Sequence, residues 1–291
     1  LYTNTAIYPS TTAASTTATV SGVSPIRTGW LGWQNYFKEI KKNIILFNGR
    51  EYFTDEPTGF SGYTALPYEP YYADLKVNGS IHNPNFNKIN KKFRKVLKHS
   101  LKAIKKKKQN AQYVYFTEPD GLMHKFGTFD ERVVAKLKEM DQDLAWYAHK
   151  LSKDTLLIIS ADHGHTNIKN IEFYHCTPLL KMLNRKPSND SRCITFSVKE
   201  EYRTIFPKLF TDLFGYAYDI LPSSEAMYRE YFGKRNETPH TRVYDFLADF
   251  VAIAKNEYCF NYKGEEPIDF KSHHAGITAD EMLVPVIVYR K

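Results

Sequence analysis

The chain has 291 residues, 42% hydrophobic and 15% aromatic, with a formal net charge of +8. That length can bury one large α/β domain with an insertion, or two modest domains, and the composition excludes a disordered basic tail. No apolar run approaches the ~20 residues needed to cross a bilayer, and the widely spaced Cys176, Cys193 and Cys259 indicate neither a disulfide framework nor a thiolate metal site. We therefore expect no membrane partner, a cytoplasmic location and, from the positive balance, a small anionic substrate.

In chain order, the first informative stretch is Tyr8-Pro9-Ser10-Thr11-Thr12-Ala13-Ala14-Ser15, followed by small residues up to Gly22. It predicts a loop entering a helix, with free backbone N–H groups and the positive end of the helix dipole beside Thr12, a setting that holds a phosphoryl group. The alternative is a Ser/Thr-rich cap without chemistry. Trp30, Trp33 and Tyr36 follow, suited either to stacking on a nucleoside base or to core packing.

Lysines gather at 38–42 and 88–108. In the second stretch Phe93, Val96, Leu97, Leu101 and Ile104 share a helical face, so the lysines read as its solvated side and no nucleic-acid partner is expected. A short apolar strand at 113–116 leads into Thr117-Glu118-Pro119-Asp120. The stripe Val133, Val134, Leu137, Met140, Leu144 and Tyr147 then predicts a second helix. A run at 155–160, apolar enough for a strand covered on both faces, ends in Ala161-Asp162-His163-Gly164-His165.

This alternation predicts a doubly wound α/β fold with a mostly parallel sheet, whose ligands sit in loops at the strands' carboxyl ends. Residues 1–165 read as the catalytic core. Residues 166–271, with scattered aromatics and prolines and a strand near 246–254, read as an inserted cap; 272–291 return to the core through a buried-looking strand at 282–288.

Carboxylate and imidazole are ordinary zinc ligands, and a turn after Asp120 brings His124 to the same side. Alone, Asp120 with His124, or Asp162 with His163, is a polar loop-end pair. A third cluster, His273-His274-Ala275-Gly276, again flanks a core strand. Three Asp/His clusters at strand-flanking loops converge if the sheet has one functional edge, which favours a metal site over three unrelated explanations.

These motifs are similar to those of a known family. Glu118-Pro119-Asp120-Gly121-Leu122-Met123-His124-Lys125-Phe126-Gly127 resembles the Glu-Pro-Asp-x-x-x-His-x-x-Gly signature of the type I phosphodiesterase/nucleotide pyrophosphatase family, in the alkaline phosphatase superfamily. Ser160-Ala161-Asp162-His163-Gly164 resembles the superfamily's second metal motif, and His274-Ala275-Gly276 its closing His-x-Gly.

The resemblance spans essentially the whole chain and implies an alkaline phosphatase-like fold. It implies hydrolysis of nucleotide-like phosphodiesters or pyrophosphates through a phospho-threonine intermediate at two zinc ions, with other divalent ions such as Mn2+ admitted. Asp120, His124 and His274 would hold one ion, with His274 preferred to His273 by register; Asp162 and His163 would hold part of the other. Thr12 would be the nucleophile, ten residues before the Gly matched by Gly22. The family's phosphate-binding Asn aligns on Trp33, so Asn35, or a backbone N–H near Thr12, is the candidate donor to the non-bridging oxygen.

The superfamily's first strand ends in a further metal-ligating Asp, yet no Asp precedes Asp55 here. We expect that strand upstream of Leu1, because the sequence opens in the nucleophile loop with no strand evident before it. A phosphonate or phosphomonoester hydrolase with the same site, or a non-catalytic member, are the alternatives.

Overall fold

A computed structural model describes residues 1–73, 78–82, 92–105, 110–264 and 269–291. Lysines at 88, 91 and 106–108 lie outside the described residues, so the wet face expected of the second lysine stretch is described only in part.

The largest sheet has six strands in the order Tyr218–Pro222, Phe250–Ala254, Cys193–Phe196, Ser188–Asp190, Gln34–Phe37 and Lys42–Ile45. Every pairing in it is antiparallel. Alternation along the strands sends Val251 and Ile253 into one core, with Trp30, Leu31 and Phe246, and Phe250, Ala252 and Ala254 into another, with Phe173, Phe206 and Phe210. Each fully buried large apolar side chain contributes about 1.5–3 kcal/mol, so covering both faces makes this sheet the main stabilising element.

The sheet crosses the boundary expected at 165, because Gln34–Phe37 and Lys42–Ile45 join strands from the expected insertion. The strand expected near 246–254 is also split. Val243, Phe246 and Leu247 are buried at helical spacing in a short Val243–Leu247 helix, and the strand begins only at Phe250.

The predicted succession of helix, strand, helix and strand is present as Phe93–Ile104, Asn110–Val114, Glu131–Lys150 and Leu156–Ser160. Phe93, Leu97, Tyr147 and Leu151 form its core, with Val114, Phe116 and Leu157 packed against them. Asn110–Val114 pairs in parallel with Asn78–His82.

Leu156–Ser160 instead pairs antiparallel with the returning strand Leu283–Arg290, which pairs antiparallel with Tyr2–Thr5. Two expectations are corrected here. Leu156 and Ile158 are each 59% exposed and Val288 is 47% exposed, so neither strand is covered on both faces; only the alternate residue Leu157 reaches the helical core. A strand, Tyr2–Thr5, does precede the nucleophile loop. Four residues are too few to reveal a period.

Arg192 and Glu281 tie the last loop of the chain to the large sheet. Both are fully buried, and the guanidinium grips the carboxylate through Nε–Oε1 at 2.6 Å and Nη2–Oε2 at 2.7 Å. The guanidinium also donates to the carbonyls of Asn256 and Tyr258, while Glu281 accepts the N–H groups of Gly276 and Thr278. A Cβ on Gly276 would meet Glu281 at 2.7 Å and Arg192 at 2.8 Å, so the loop requires glycine there.

Arg192→Met leaves a buried carboxylate without its counter-ion, and we expect a loss of about 3–5 kcal/mol in urea unfolding followed by circular dichroism. A loss below about 0.5 kcal/mol, the level of an ordinary surface substitution, would show that the ion pair does not secure the loop.

Candidate functional site

Thr12 is the first residue of the ten-residue helix Thr12–Ser21, preceded by Thr11 in an extended conformation at φ −133°. Tyr8 and Ala13 pack into the core of the large sheet, which fixes where the helix starts. The first-turn N–H groups have no acceptor within a helix and point out of its N-terminus beside Thr12.

Ser10 joins this loop to the one that carries His274. Its hydroxyl donates to the Gly276 carbonyl at 2.9 Å, and its carbonyl accepts the Ala275 N–H and the His274 Nδ1–H, each at 2.9 Å. Ala275 sits at φ 86°, a left-handed conformation unfavourable for a residue with a Cβ and sustained by these surrounding bonds.

Asp120 opens the helix Asp120–Phe126 and His124 lies one turn on, the same-side placement that their spacing predicts. The Asp120 Oδ1 atom is 3.4 Å from His124 Nε2, 3.6 Å from His274 Nε2 and 2.7 Å from His165 Nε2. One ligand atom from each of Asp120, His124, His165 and His274 falls within 4.8 Å of all the others.

The tautomers of two of these imidazoles follow from their partners. His124 Nδ1 faces the Ser272 carbonyl and His274 Nδ1 the Ser10 carbonyl, both at 2.9 Å. A carbonyl only accepts, so the proton is on Nδ1 and the Nε2 lone pair is turned toward Asp120. Burial, with the surrounding imidazoles, holds His274 well below the usual histidine range. Burial also outweighs the Asp120 charge and takes His124 down to about 4. Both are therefore neutral, the form that binds metal.

Burial alone would raise the Asp120 carboxyl. The hydrogen bond from His165, and after it the neighbouring imidazoles, outweigh it and keep the group well below the usual carboxylate range. His273 is also buried, but its Nδ1 is engaged with the His274 backbone, 2.8 Å from the N–H and 2.9 Å from the carbonyl, whereas His274 Nε2 is 3.6 Å from Asp120. The geometry thus turns His274, and not His273, toward the carboxylate.

Asp162 and His163 stand on the Thr12 side of the cluster. Thr12 Oγ1 is 3.2 Å from His163 Nε2, and His163 Nδ1 donates to the Gly164 carbonyl at 2.9 Å. Asp162 Oδ2 lies 3.5 Å from His163 Nε2 and accepts the Tyr115 hydroxyl at 3.0 Å. Burial, and the Asp162 carboxylate after it, raise Tyr115 far above its ordinary value and keep it a donor. The His163 and His274 rings stack at 3.8 Å, which joins the two halves. A Cβ on Gly164 would meet the Asp280 carbonyl at 2.0 Å, so the Asp-His-Gly turn closes only with glycine.

The fold thus brings together Thr12, Asp120, His124, Asp162, His163 and His274. Asn35 is fully buried in Gln34–Phe37, and neither amide atom has a hydrogen-bond partner among the described residues. Trp30 is core, its indole N–H bonded to the Leu66 carbonyl at 2.9 Å, and Tyr36 is covered by the Arg185 guanidinium at 3.8 Å. Two neighbours, His165 and Tyr115, escaped the sequence reading. Alternation of His163 and His165 around a glycine was the available signal for the first; Tyr115 offered none.

One carboxylate and neutral imidazole nitrogens, held from behind by carbonyls, are a donor set that suits a divalent ion. Comparison with known proteins agrees with this chemistry. The family model for type I phosphodiesterase / nucleotide pyrophosphatase matches residues 50–277, a span that contains all five expected metal-ligating residues and begins after Thr12. No curated protein matches in sequence.

Among solved structures, the chain is similar to murine ectonucleotide pyrophosphatase/phosphodiesterase 5, with TM-score 0.70 and 14% identity over 98% of this chain and 78% of that one. The same values hold for an inactive variant of the murine protein in complex with AMP. The human counterpart gives TM-score 0.68 at 14% identity over the same shares. At this identity the likeness is one of fold, an alkaline phosphatase-like α/β architecture. With the family model spanning residues 50–277, the chain belongs to the type I phosphodiesterase/nucleotide pyrophosphatase family.

Proposed function

We propose that this chain hydrolyses phosphodiester or pyrophosphate bonds of nucleotide-like substrates through a phospho-threonine intermediate at a two-zinc site. The observation that carries the reading is Thr12 itself. Its hydroxyl stands 3.2 Å from His163 Nε2 at a helix N-terminus, beside the cluster of Asp120, His124 and His274. The AMP bound to the murine structure supports a nucleotide as the substrate class.

Asp120, His124 and His274 would hold one ion; Asp162 and His163, with Thr12 opposite, would hold the other. When bound, the ions lower the pKa of the attacking hydroxyl and neutralise charge on the phosphoryl and leaving oxygens. Thr12 Oγ1 attacks phosphorus in line as the bond to the leaving oxygen breaks, and the displaced alcohol or phosphate departs. Water then cleaves the phospho-threonine, returns the hydroxyl to Thr12 and releases a monoester. The first-turn N–H groups of the Thr12–Ser21 helix are the donors we assign to a non-bridging oxygen, in place of Asn35. Tyr115 holds Asp162 in orientation through its hydroxyl.

Two measurements test this. Thr12→Ala should lower kcat on a nitrophenyl nucleotide diester by at least ~10^3-fold, as loss of a covalent nucleophile does, while a folded far-UV spectrum is retained. Wild-type turnover in that variant would remove Thr12 from the chemistry. Dialysis against a chelator should abolish hydrolysis, and Zn2+ should restore it; turnover that persists after complete metal removal, verified by elemental analysis, would overturn the metal-dependent reading.

A further inference from the structure

Thr11 occupies the N-cap of the helix that Thr12 begins, yet its side chain does not cap it. A threonine in that place ordinarily turns its hydroxyl back to accept an N–H from the second or third helical residue, here Ala13 or Ala14. Thr11 makes no such bond. Its hydroxyl is fully buried and has no hydrogen-bond partner among the described residues. The first-turn N–H groups are left free, and something other than the helix decides which way the hydroxyl points.

The polar group beside it is Asp190. Tyr8, at the start of the same loop, packs in one core with Cys193, and Cys193 is paired with Asp190 across the strands Ser188–Asp190 and Cys193–Phe196. The Asp190 side chain is buried and fixed by two backbone donors, the Trp33 N–H at 3.2 Å and the Ser191 N–H at 3.1 Å. Burial raises its carboxyl to about 6, against the pull of the Thr11 hydroxyl and, after it, of those two N–H groups. A carboxylate only accepts, so it attracts the proton of the Thr11 hydroxyl and turns the group from the helix.

We infer that Asp190 is a positioning residue that draws the Thr11 hydroxyl away from the start of the helix and so keeps the first-turn N–H groups open for the non-bridging oxygens of a phosphoester. The inference rests on the helix N-terminus as the phosphate site of the proposed hydrolysis and deepens that reading. Without the carboxylate, the hydroxyl rotates onto the Ala13 or Ala14 N–H and takes the place of a phosphate oxygen.

Inorganic phosphate is the probe, titrated calorimetrically into zinc-loaded full-length protein. Asp190→Ala should bind it about 10-fold more weakly than wild type, the worth of a typical N-cap bond. Valine has the shape of threonine without its hydroxyl, so adding Thr11→Val to Asp190→Ala should restore affinity to within about twofold of wild type. A merely structural role predicts the reverse, because a second buried change then adds to the first. Circular dichroism checks that Asp190→Ala folds; if it does not, a crystal structure of wild type with phosphate decides, and a Thr11 hydroxyl bonded to the Ala13 or Ala14 N–H rather than directed at Asp190 would refute the inference. Unchanged affinity in the folded Asp190→Ala variant, or no recovery with Thr11→Val, would remove Asp190 from this role and leave the hydrolase reading standing. Zinc-loaded wild type that neither binds phosphate nor cleaves a diester would overturn both.

Discussion

The constraint on which the site depends is electrostatic. A carboxylate and several imidazoles lie within 4.8 Å of one another, Asp120 and His124 part-buried and His165 and His274 buried. Removing such groups from water costs several kcal/mol for each ion unless an opposite charge compensates. The fold accepts this cost because other bonds place the groups. Carbonyls of Ser10 and Ser272 claim the Nδ1 protons of His274 and His124, and the lone pairs have nowhere to turn but inward. Metal binding and local stability are then linked, since a cation that binds the folded cluster and not the unfolded chain adds its binding energy to the fold.

The loops that meet here come from different packing units. Thr12 is anchored in the core of the six-stranded sheet through Tyr8 and Ala13, whereas Asp120 and Asp162 follow strands beside the core of Phe93, Leu97 and Tyr147. His274 belongs to neither. Its loop is held by Ser10 on one side and, through Gly276 and Glu281, by Arg192 on the other. A buried ion pair is a weak source of net stability, but one that is bidentate and bonded to backbone on both sides restricts the loop to one position. Gly164 and Gly276 serve the same end, because each occupies a place where a Cβ would collide with backbone or with the ion pair.

Much of this was legible in the sequence, and what was missed has physical causes. Asp120 and His124 share a helix face because their spacing is local, and the order of helix and strand over 93–160 follows from hydrophobic period. Burial of a strand is not local. Leu156 and Ile158 are as apolar as any core strand residue yet lie exposed, because what covers a strand is set by neighbours distant in sequence. The six-stranded sheet was not foreseen for the same reason: its pairing joins 34–45 to 188–254, and no pattern within either segment announces the other.

His165 shows how a site can differ from a motif that otherwise matches. A turn such as Asp162-His163-Gly164 sends successive side chains to different places, and His165, two residues after His163, re-enters the cluster from behind Asp120. The two halves of the site are consequently unequal. Three imidazoles and a carboxylate surround one position, whereas Asp162, His163 and the Thr12 hydroxyl are the groups gathered at the other. Affinity for a divalent ion rises with the number of preorganised charged or neutral donors, and lability rises as that number falls. On the proposed reading, the half that contains the nucleophile gains ligands from the substrate phosphate. Substrate and second ion then stabilise one another's binding, which makes occupancy of the Thr12 half depend on the phosphoester it is to cleave.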